Sequence, residues 1–462
     1  MFIPKDLQKI IYYLNKKSAK VIIIGGAVRD NLLNIKPKDF DIEVYNIDSL
    51  GKLESLIKPF GVVNIVGKSF GILKLKSNFG EYDFSLPRLD TKIDIGHKGF
   101  SVEINSKLDY KNAFKRRDFT INAIGYDFIE NKIIDPFNGL EDLKNKKLKH
   151  IDSDTFIQDP LRVYRAISFI SRFNLKLDNK TYELCKSMVK NGQLEELPKE
   201  RIWQEWQKFL LKSNKPSVAF ELMKKLGIIG KYYLELNALI NIPQDKKWHP
   251  EGDVWIHTMM VLDEMAQLLK KAQKKDTNYK LIMLLSALCH DLGKSTTTII
   301  KADGRISSIG HEIAGLEPTK KLINKLTNNK TFVKEILPLV EHHLKPHVYY
   351  RTGAKNSTIK KLSTKVNIEN LIILAKADIL GRGVEREKKE CKACKWLLKK
   401  AKELKVNKNP PKPLIMGRDL IKLGLKPSIE FTNILNKLYK MQLAGEFKSK
   451  EDAYSYITSN IC

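Results

Sequence analysis

The 462-residue sequence contains little cysteine, no long apolar run and no internal repeat of fixed period. Its five cysteines form an odd, sparse set, which argues against a disulfide framework. No apolar stretch approaches the length of a membrane span, and residues 1–10 lack the pattern of a secretory signal. From these absences we expect a soluble cytoplasmic protein that does not bind membranes.

Acidic residues are scarce compared with basic ones. The chain has 82 Lys and Arg against 53 Asp and Glu, which gives a formal net charge of +29. Such an excess favours a polyanionic partner, and nucleic acid fits better than an anionic membrane surface in a chain without a membrane span. A Lys-rich proteome would produce part of the same excess, so the charge supports RNA binding without proving it.

Two of the cysteines, Cys391 and Cys394, form a CxxC pattern in a Lys-rich, helix-like stretch. A structural metal site of this kind needs further ligands, and no second cysteine pair lies nearby. The pattern therefore argues against a metal site here, and the role of the pair stays open.

The first 140 residues carry the strand-like runs and indicate an α+β head. Apolar or alternating runs predict strands at residues 21–24, 39–45, 71–76, 82–86 and 132–135. Helical periods predict helices at residues 6–14 and 50–57.

The rest of the chain is predicted to be almost entirely helical. Apolar residues recur at helical spacing through residues 161–173, 181–189, 202–211 and 218–226, and in long segments beyond. The run NKNPPKP at residues 407–413 is the strongest linker signal, because proline cannot continue a helix. The predicted domains are a head at 1–140, a helical neck and body at 141–245, a third domain at 246–400 and a helical tail at 401–462.

A glycine pair follows the first predicted strand. Gly25 and Gly26 predict a tight turn before a helix, where backbone amides can face phosphate oxygens. Asp39 and Asp41 lie two apart, so on a strand both carboxylates point to one face. Two carboxylates beside a phosphate-binding turn predict a magnesium site for phosphoryl or nucleotidyl transfer. Solvated aspartates beside an ordinary turn are the alternative.

Two further features are ambiguous on their own. Asp83 is a candidate third carboxylate, for metal binding or for deprotonating an attacking hydroxyl, but it also suits a surface position on a strand edge. Arg116 and Arg117 could hold a triphosphate, a ribose or an RNA backbone, although a dibasic pair is usually solvated.

The segment GGAVRDNLLNIKPKDFDIEVYN, residues 25–46, resembles the opening motif of class II tRNA nucleotidyltransferases, the CCA-adding enzymes of the polymerase-beta superfamily. The run KRRDFTINAIGYD, residues 115–127, is similar to the family's RRDFTINA motif, which is implicated in ribose and phosphate recognition. The resemblance implies Mg²⁺ at Asp39 and Asp41. The nucleotide-binding residues that it implies in these two motifs are Gly25, Gly26, Arg29, Arg116 and Arg117.

Asp159 and Arg162 lie three apart at the start of a predicted helix, with Pro160 in the first turn and Asp159 as its cap. Asp only accepts hydrogen bonds and Arg only donates them. The pair can therefore accept cytosine or adenine, which present an amino donor beside a ring-nitrogen acceptor, and reject guanine or uracil. Arg165, one turn further on, could reach the triphosphate.

A capped helix with an i,i+3 salt bridge is the alternative interpretation of this segment. The run QDPLRVYRAISFISRF, residues 158–173, resembles the family's EDxxR region, which favours base selection by Asp159 and Arg162. Gln158 stands where the family usually has Glu. The segment ERIWQE, residues 200–205, resembles the family's ERxxxE helix, whose charges we expect to brace the nucleotide-binding helix.

A second constellation follows the residue order of HD-domain phosphohydrolases: His257, then His290 and Asp291, then Asp378. Imidazole and carboxylate together bind a divalent transition metal, and an open coordination position would activate water for phosphoester cleavage. Candidate ligands for a second ion are His311, His342 and His343. Histidines scattered through core and surface are the alternative, but their order favours metal binding.

CCA-adding enzymes with an appended HD domain combine these two halves. The resemblance implies an α+β fold, with a polymerase-beta-like head followed by an all-α neck, body, HD domain and tail. It implies template-independent addition of CCA to tRNA 3′ ends from CTP and ATP, together with a metal-dependent phosphohydrolase activity at residues 246–400. Residues 416–447 also look like the C-terminal part of bacterial CCA enzymes.

Several alternatives remain open at the level of sequence. A poly(A) polymerase shares the head, but the run GKSFG at residues 67–71 looks like the GKxFG of CCA enzymes. Enzymes that add only CC or only A share these motifs, and the loop at residues 89–99 is too variable to decide. An RNA-binding scaffold with an inactive head, or a phosphohydrolase regulated by the head, are the alternatives from other classes.

Overall fold

The structure, a computed structural model, describes residues 1–66, 71–78, 80–92, 100–271, 276–383, 390–427, 429–447 and 449–460. The GKSFG run, apart from its last glycine, and residues 93–99 of the variable loop lie outside the described residues. The chain divides into two units, one of residues 1–213 and 218–228 and one of residues 214–217 and 229–462. The four predicted domain boundaries remain predictions.

The first unit is built on a seven-stranded sheet. Its strands are β1 (Lys20–Ile24), β2 (Phe40–Tyr45), β3 (Val62–Val66), β4 (Ile72–Lys76), β5 (Glu81–Ser85), β8 (Gly125–Asp127) and β9 (Lys132–Ile134), in the order β3-β4-β5-β2-β1-β8-β9. Two smaller pairs are β6 (Arg88–Lys92) with β7 (Phe100–Ile104), and β10 (Lys147–Leu148) with β11 (Lys176–Leu177). The five predicted strands correspond to β1, β2, β4, β5 and β9.

The register of β2 positions the site. This strand runs antiparallel to β1 and parallel to β5. Ile24, the last residue of β1, lies opposite Asp41, which in turn lies opposite Asp83 on β5. The turn that follows β1 is therefore close to both carboxylates.

Helices cover the sheet and continue beyond it. They are α1 (Lys5–Lys16), α2 (Gly26–Leu32), α3 (Leu50–Ile57), α4 (Tyr110–Lys115), α5 (Gly139–Lys144), α6 (Ser153–Ile157), α7 (Leu161–Phe173), α8 (Asn179–Lys190), α9 (Lys199–Lys212) and α10 (Ser217–Lys225). Predictions for residues 50–57 and 161–173 coincide with α3 and α7, whose apolar residues follow the helical period.

The core of the first unit lies on both faces of the sheet. Leu7 and Ile11 of α1 pack with Ile42 of β2 in one cluster, and Ile24 packs with Phe114 of α4 in another. Strand β1 is buried on both sides, which explains its unbroken apolar sequence.

The second unit is helical, as predicted, apart from one short hairpin of β12 (Ile299–Ile300) and β13 (Ile306–Ser307). Its helices are α11 (Ile228–Tyr232), α12 (Leu234–Asn237), α13 (Val254–Lys271), α14 (Thr277–Cys289), α15 (Lys294–Thr297), α16 (His311–Ala314), α17 (Leu316–Leu326), α18 (Lys330–His342), α19 (Lys345–Thr352), α20 (Asn356–Ser363), α21 (Ile368–Leu380), α22 (Lys392–Glu403), α23 (Gly417–Lys422), α24 (Glu430–Ala444) and α25 (Lys450–Asn460). Helices α13, α14 and α21 pack against one another, and the last three helices share a separate apolar cluster. The α+β fold with a helical body is confirmed. Across the part of the chain that the structure describes, no helix has the length and apolar character needed to cross a membrane.

The structure adds one feature that the cysteine pattern did not predict, a disulfide between neighbouring cysteines. Cysteine scarcity argued against a disulfide framework, but Cys391 and Cys394 form a single disulfide. The CxxC spacing at the start of α22 brings their Cα atoms to 5.1 Å, within the range that a disulfide spans. The bonded sulfurs are no longer thiolates, so this pair is not a metal site in the structure.

Candidate functional site

The glycine turn between β1 and α2 requires glycine at its first position. Gly25 has a φ of 76°, which L-residues with a side chain rarely adopt. A Cβ added there would lie 2.6 Å from Nη1 of Arg117. A backbone hydrogen bond anchors the turn, because the Gly25 amide donates to the carbonyl of Ile124 at 3.0 Å.

Three carboxylates line one cavity of about 800 Å³ beside this turn: Asp39, Asp41 and Asp83. Asp39 immediately precedes β2, whereas Asp41 and Asp83 lie opposite each other in the parallel register. Partial burial raises the pKa of Asp83, Lys74 at 3.7 Å opposes that change, and the charges of Asp41 and Asp39 add to it. The three carboxylates therefore concentrate negative charge in the cavity beside this turn.

Arg29 of α2 lines the same cavity and is held rigidly. Its Nη1 donates to Oδ1 of Asn122 at 2.5 Å, and its Nε and Nη2 donate to Asp30 at 2.9 and 2.5 Å. The guanidinium also lies over the rings of Phe169 and Phe173, at 5.1 and 4.7 Å from their centroids. Its orientation is consequently fixed before any ligand binds.

Arg116 and Arg117 are half-buried, unlike a solvated dibasic pair. Arg116 Nη2 is 2.7 Å from Oε2 of Glu43, a fully buried carboxylate that also accepts from the Tyr45 hydroxyl. Arg117 donates to the Asn122 carbonyl at 3.3 Å, and burial and the neighbouring Arg116 charge lower its pKa. Both arginines thus support the glycine turn and the strand that carries Asp41.

The predicted base-selecting pair lies at the start of α7, with Arg162 in its first turn and Asp159 just before its N-cap, and neighbouring residues fix both members. Asp159 accepts from Arg201 of α9 at 3.4 and 3.5 Å, which agrees with the bracing expected of the ERxxxE helix. Arg162 donates to the backbone carbonyls of Thr155 at 2.9 Å and Arg116 at 2.6 Å. The helix has the predicted bounds, but its N-cap is Pro160 and not Asp159, while the Asp159 carboxylate still accepts from the Leu161 amide.

A buried hydrogen-bonded chain joins α7 to the glycine turn. Arg165 donates to Asp118 at 2.6 Å, Asp118 accepts from Asn122 at 2.9 Å, and Asn122 accepts from Arg29. Burial alone would raise the pKa of Asp118, but Arg165 and Asn122 hold it below its usual value. Arg165 therefore pairs with a protein carboxylate and is not among the residues that line the carboxylate cavity.

The second unit brings the histidine–aspartate set together around Asp291. His290 Nε2 and His257 Nε2 lie 3.2 and 3.7 Å from Oδ2 of Asp291, and His257 Nε2 lies 3.2 Å from Asp378. On the other side, His311 and His343 lie 3.3 and 3.9 Å from Oδ1. Two overlapping groups have a size that fits a metal ion and share Asp291: one adds His257 and His290, and the other adds His311 and His343.

The histidines in these groups present their Nε2 atoms to the centre. Nδ1 of His290, His311 and His343 is 2.8, 2.6 and 2.7 Å from a backbone carbonyl, which can only accept, so each Nδ1 carries the proton. The buried Nε2 atoms of His257 and His290 have no hydrogen-bond partner among the described residues. Lone pairs of this kind suit metal coordination.

Asp378 belongs to neither group, although it lies 3.2 Å from Nε2 of His257. His342 is the other candidate ligand outside both groups. Its Nε2 lies 3.7 Å from Glu341, and its neighbour His343 contributes to the cluster instead. Adjacent residues at a helix end point about 100° apart, so only one of the two can reach the centre. Burial and the His290 charge lower the pKa of His343 to about 3, which keeps it in the neutral form that binds metals.

Sequence reasoning missed Glu251, the residue that orients His257. Its Oε1 lies 2.7 Å from Nδ1 of His257 and 2.9 Å from Nδ1 of His249, and its side chain is 1% exposed. A carboxylate behind a metal-binding histidine is a common arrangement. Lys294 and Arg382 complete the rim of the adjoining cavity of about 250 Å³.

Comparisons with known proteins agree with this division into two sites. Residues 21–149 match the family "Poly A polymerase head domain", residues 174–239 match "Probable RNA and SrmB-binding site of polymerase A", and residues 254–383 match "HD domain". The match to the head spans the glycine turn and the carboxylates, and the HD match spans the histidine cluster.

Curated relatives cover most of the chain. A Multifunctional CCA protein of Actinobacillus pleuropneumoniae is 33% identical over 400 residues, which cover 84% of this chain and 92% of the relative. Another, of Neisseria meningitidis, is 36% identical over 346 residues, which cover 75% and 77%. A nucleotidyltransferase head joined to an HD domain defines the class. This chain belongs to the multifunctional CCA protein family.

Solved structures share the fold. A CCA-adding enzyme of Bacillus stearothermophilus in complex with CTP has a TM-score of 0.66 at 19% identity, over 99% of this chain and 98% of that one. A Thermotoga maritima CCA-adding enzyme complexed with tRNA has a TM-score of 0.61 at 20% identity, over 99% and 96%. At this identity the likeness concerns the fold.

Proposed function

We propose that the chain adds CCA to the 3′ ends of tRNA, using CTP and ATP and no nucleic-acid template. One observation carries the proposal. Asp39, Asp41 and Asp83 converge on a cavity that begins at the Gly25–Gly26 turn and is lined by the immobilised Arg29. Family membership supports the same activity. The tRNA substrate also favours the cytoplasm as the location.

The carboxylates of this cavity fit Mg²⁺. All three offer hard oxygen donors, and the pKa of Asp83 is raised mainly by partial burial, with the charges of Asp41 and Asp39 adding to the shift. Mg²⁺ bound at Asp39 and Asp41 would lower the pKa of the RNA 3′-hydroxyl and neutralise the leaving pyrophosphate. Asp83 is then positioned, with its raised pKa, to accept the hydroxyl proton.

The remaining residues hold and select the nucleotide. Gly25, Gly26 and Arg29 bind the triphosphate, while Arg116 and Arg117 keep the turn in place. At the start of α7, Asp159 accepts from the exocyclic amino group of cytosine or adenine and Arg162 donates to the ring nitrogen. The contacts of this pair with Arg201 and with backbone carbonyls limit its movement. The protein side chains themselves therefore select the base, without a nucleic-acid template.

The test is incubation of a tRNA that lacks its last three nucleotides with each labelled nucleotide, singly and together. We expect incorporation of C alone from CTP, then A only after two C residues, and no G or U. Unlimited A would identify a poly(A) polymerase. Addition that stops at CC or needs a preformed CC end would identify a partial enzyme, and no incorporation would favour the scaffold.

The second unit supports a metal-dependent phosphohydrolase activity. Its residues fit a divalent transition metal, because the orphaned Nε2 atoms of His257 and His290 meet the carboxylates of Asp291 and Asp378. A metal bound there would supply an activated water. Lys294 and Arg382 would bind the phosphate, and His311 and His343 extend the donor set for a second ion.

This second proposal is tested with p-nitrophenyl phosphate and bis(p-nitrophenyl) phosphate in the presence of Mn²⁺, Ni²⁺ or Mg²⁺. Release of nitrophenol that requires the metal, and that disappears in a His290→Ala protein, supports it. A wild-type protein that binds the metals but releases no nitrophenol from either ester would contradict hydrolysis of simple phosphoesters.

A further inference from the structure

Three arginines gather around two stacked phenyl rings beside the catalytic cavity. The rings of Phe169 and Phe173, on α7, are nearly parallel at 6.0 Å. Arg29 and Arg172 place their guanidinium carbons 4.7 and 4.9 Å from the centre of Phe173, and Arg165 lies 5.4 Å from that of Phe169. Cation–π contacts therefore hold three positive charges close together.

Only two of these charges have a described carboxylate partner at ion-pair distance. Arg29 pairs with Asp30 and Arg165 pairs with Asp118. Across the described ranges of the chain, no carboxylate lies within such a distance of Arg172. Burial and the Arg29 charge lower the pKa of Arg172, with Asp30 acting only at longer range. Within those ranges, one cation of the cluster is left without a counter-ion.

A second cation without an ion pair to any described carboxylate lies beside it. The ends of α7 and α9 are joined where Ser171 and Ser213 exchange hydrogen bonds at 2.7 and 2.8 Å. Arg172 follows the first serine and Lys212 precedes the second, so the link makes them neighbours. Partial desolvation, Arg172 and further lysines lower the pKa of Lys212.

Both cations line the cavity that contains Asp39 and Asp41. Basic residues are common in the last turn of a helix, where they match the partial negative charge of the helix end. That preference explains a cation at each position. It does not explain why Arg172 and Lys212 line the same cavity. Nor does it explain why no carboxylate of the described residues lies within ion-pair distance of either cation.

We propose that Arg172 and Lys212 form a second phosphate-binding pair, beyond Arg29, for the triphosphate of the incoming CTP or ATP. The inference rests on the proposed nucleotide transfer and adds two binding residues to that site. Arg172 and Arg29 share the ring of Phe173, so the pair extends the phosphate-binding side of the cavity that starts at the glycine turn. A triphosphate supplies the missing negative charges, and a planar guanidinium suits two phosphate oxygens at once.

The experiment uses the full-length Arg172→Gln and Lys212→Gln proteins in the tRNA extension assay. The KM for CTP and for ATP is expected to rise about tenfold in each, the loss of one charge-assisted hydrogen bond, while the KM for tRNA stays unchanged. Inhibition by CTP analogues separates phosphate from base recognition. Inhibition by CDP and by pyrophosphate should weaken, and inhibition by cytidine should not change.

Lys190→Gln is the matched control, because Lys190 is also an exposed lysine in the last turn of a helix, α8, but does not line the cavity. Its KM values are expected to match the wild type. Arg172→Lys keeps the charge and should recover part of the affinity for CTP. Lys212 is exposed, so its variant is expected to fold normally even if Arg172→Gln does not.

Three results would overturn the inference. Unchanged KM values for both nucleotides would show that the two cations do not bind the triphosphate. A rise in the KM for tRNA alone would assign them to the RNA acceptor strand, and equal weakening of cytidine and CDP would assign them to the nucleoside. If the wild type itself incorporated neither C nor A, the proposed nucleotide transfer would be contradicted. That result is distinguishable from the three above, all of which require an active wild type.

Discussion

At the scale of single residues, the sheet fixes the backbone positions of the carboxylates Asp41 and Asp83 in the first unit. Asp41 is fixed by its place in β2 and by its register with Asp83. Behind it on the same strand, Glu43 is buried and paired with Arg116. An ion that binds here therefore has to fit carboxylates whose backbone positions the sheet already fixes.

Asp41→Asn is predicted to lower addition to tRNA by about a thousandfold or more, because the neutral amide weakens the ion site on which attack depends. The affinity for tRNA should stay the same. Single-turnover extension and a filter-binding assay measure the two quantities. Asp48→Asn, at an exposed carboxylate, is the control and should behave as the wild type. Near-normal extension by Asp41→Asn would exclude Asp41 from the reaction.

Glu251→Gln is predicted to weaken metal binding by the second unit about 10- to 100-fold, because the charged acceptor that orients His257 is lost. Calorimetric titration with Mn²⁺ and Ni²⁺ measures the affinity directly, independently of hydrolysis. Glu317→Gln, at an exposed position of α17, is the control. Equal affinities in the wild type and Glu251→Gln would mean that Glu251 does not position the ligand.

At the scale of elements, the turn between β1 and α2 couples backbone conformation to the site. Gly25→Ala is predicted to cost about 1–3 kcal/mol from the backbone alone, because a φ of 76° with a ψ of −123° is a conformation that residues with a Cβ rarely adopt. Its Cβ would also displace Arg117. We therefore expect a higher KM for CTP and ATP together with a lower midpoint of urea unfolding.

Gly304→Ala separates these two effects. Gly304 has a φ of 77°, similar to Gly25, but no atom of the described residues lies within 4 Å of an added Cβ. Its variant should lose comparable stability and keep normal extension kinetics. If Gly25→Ala also kept normal kinetics, crowding of Arg117 would have no bearing on nucleotide binding.

Helices and strands with a clear hydrophobic period could be predicted from the sequence, whereas the pairing of the strands in the sheet could not. The apolar run of β1 and the helical period of α7 gave the right elements at nearly the right bounds. Strand β3 was missed because it lies at the edge of the sheet, with Val62 and Ile65 exposed and no alternation that marks a buried face. The parallel register of Asp41 with Asp83 depends on strands that are distant in sequence, which local patterns do not specify.

The candidate sites show the same limit. The order of the motifs along the chain was enough to indicate Asp39, Asp41 and most of the histidine cluster. The roles of Asn122, Glu251 and Arg172 depend on tertiary contacts, so no spacing in the sequence indicated them. The choice of His343 over His342 depends on the phase of α18 at its last turn.

At the scale of the whole molecule, the two sites belong to different units of the chain. The carboxylate cavity is lined entirely by residues of the first unit, and the histidine cluster lies entirely in the second. Each unit also has its own apolar clusters, the first around the sheet and the second in the tail helices.

This separation predicts independent activities. His290→Ala should lose bound transition metal, measured by elemental analysis, and still extend tRNA within about twofold of the wild-type rate, as expected for sites that share no residues. Asp41→Asn provides the reciprocal control and should keep its metal and its phosphoesterase rate. A parallel loss of both activities in either variant would show that the two units depend on each other.

Sequencing the 3′ ends of a truncated tRNA after incubation with all four nucleoside triphosphates tests the central claim most directly. The account predicts a single product that ends in C-C-A with nothing beyond it, and unextended ends when Asp41→Asn replaces the wild type. Ends of any other sequence or of unlimited length, or C-C-A ends made equally well by Asp41→Asn, would contradict it.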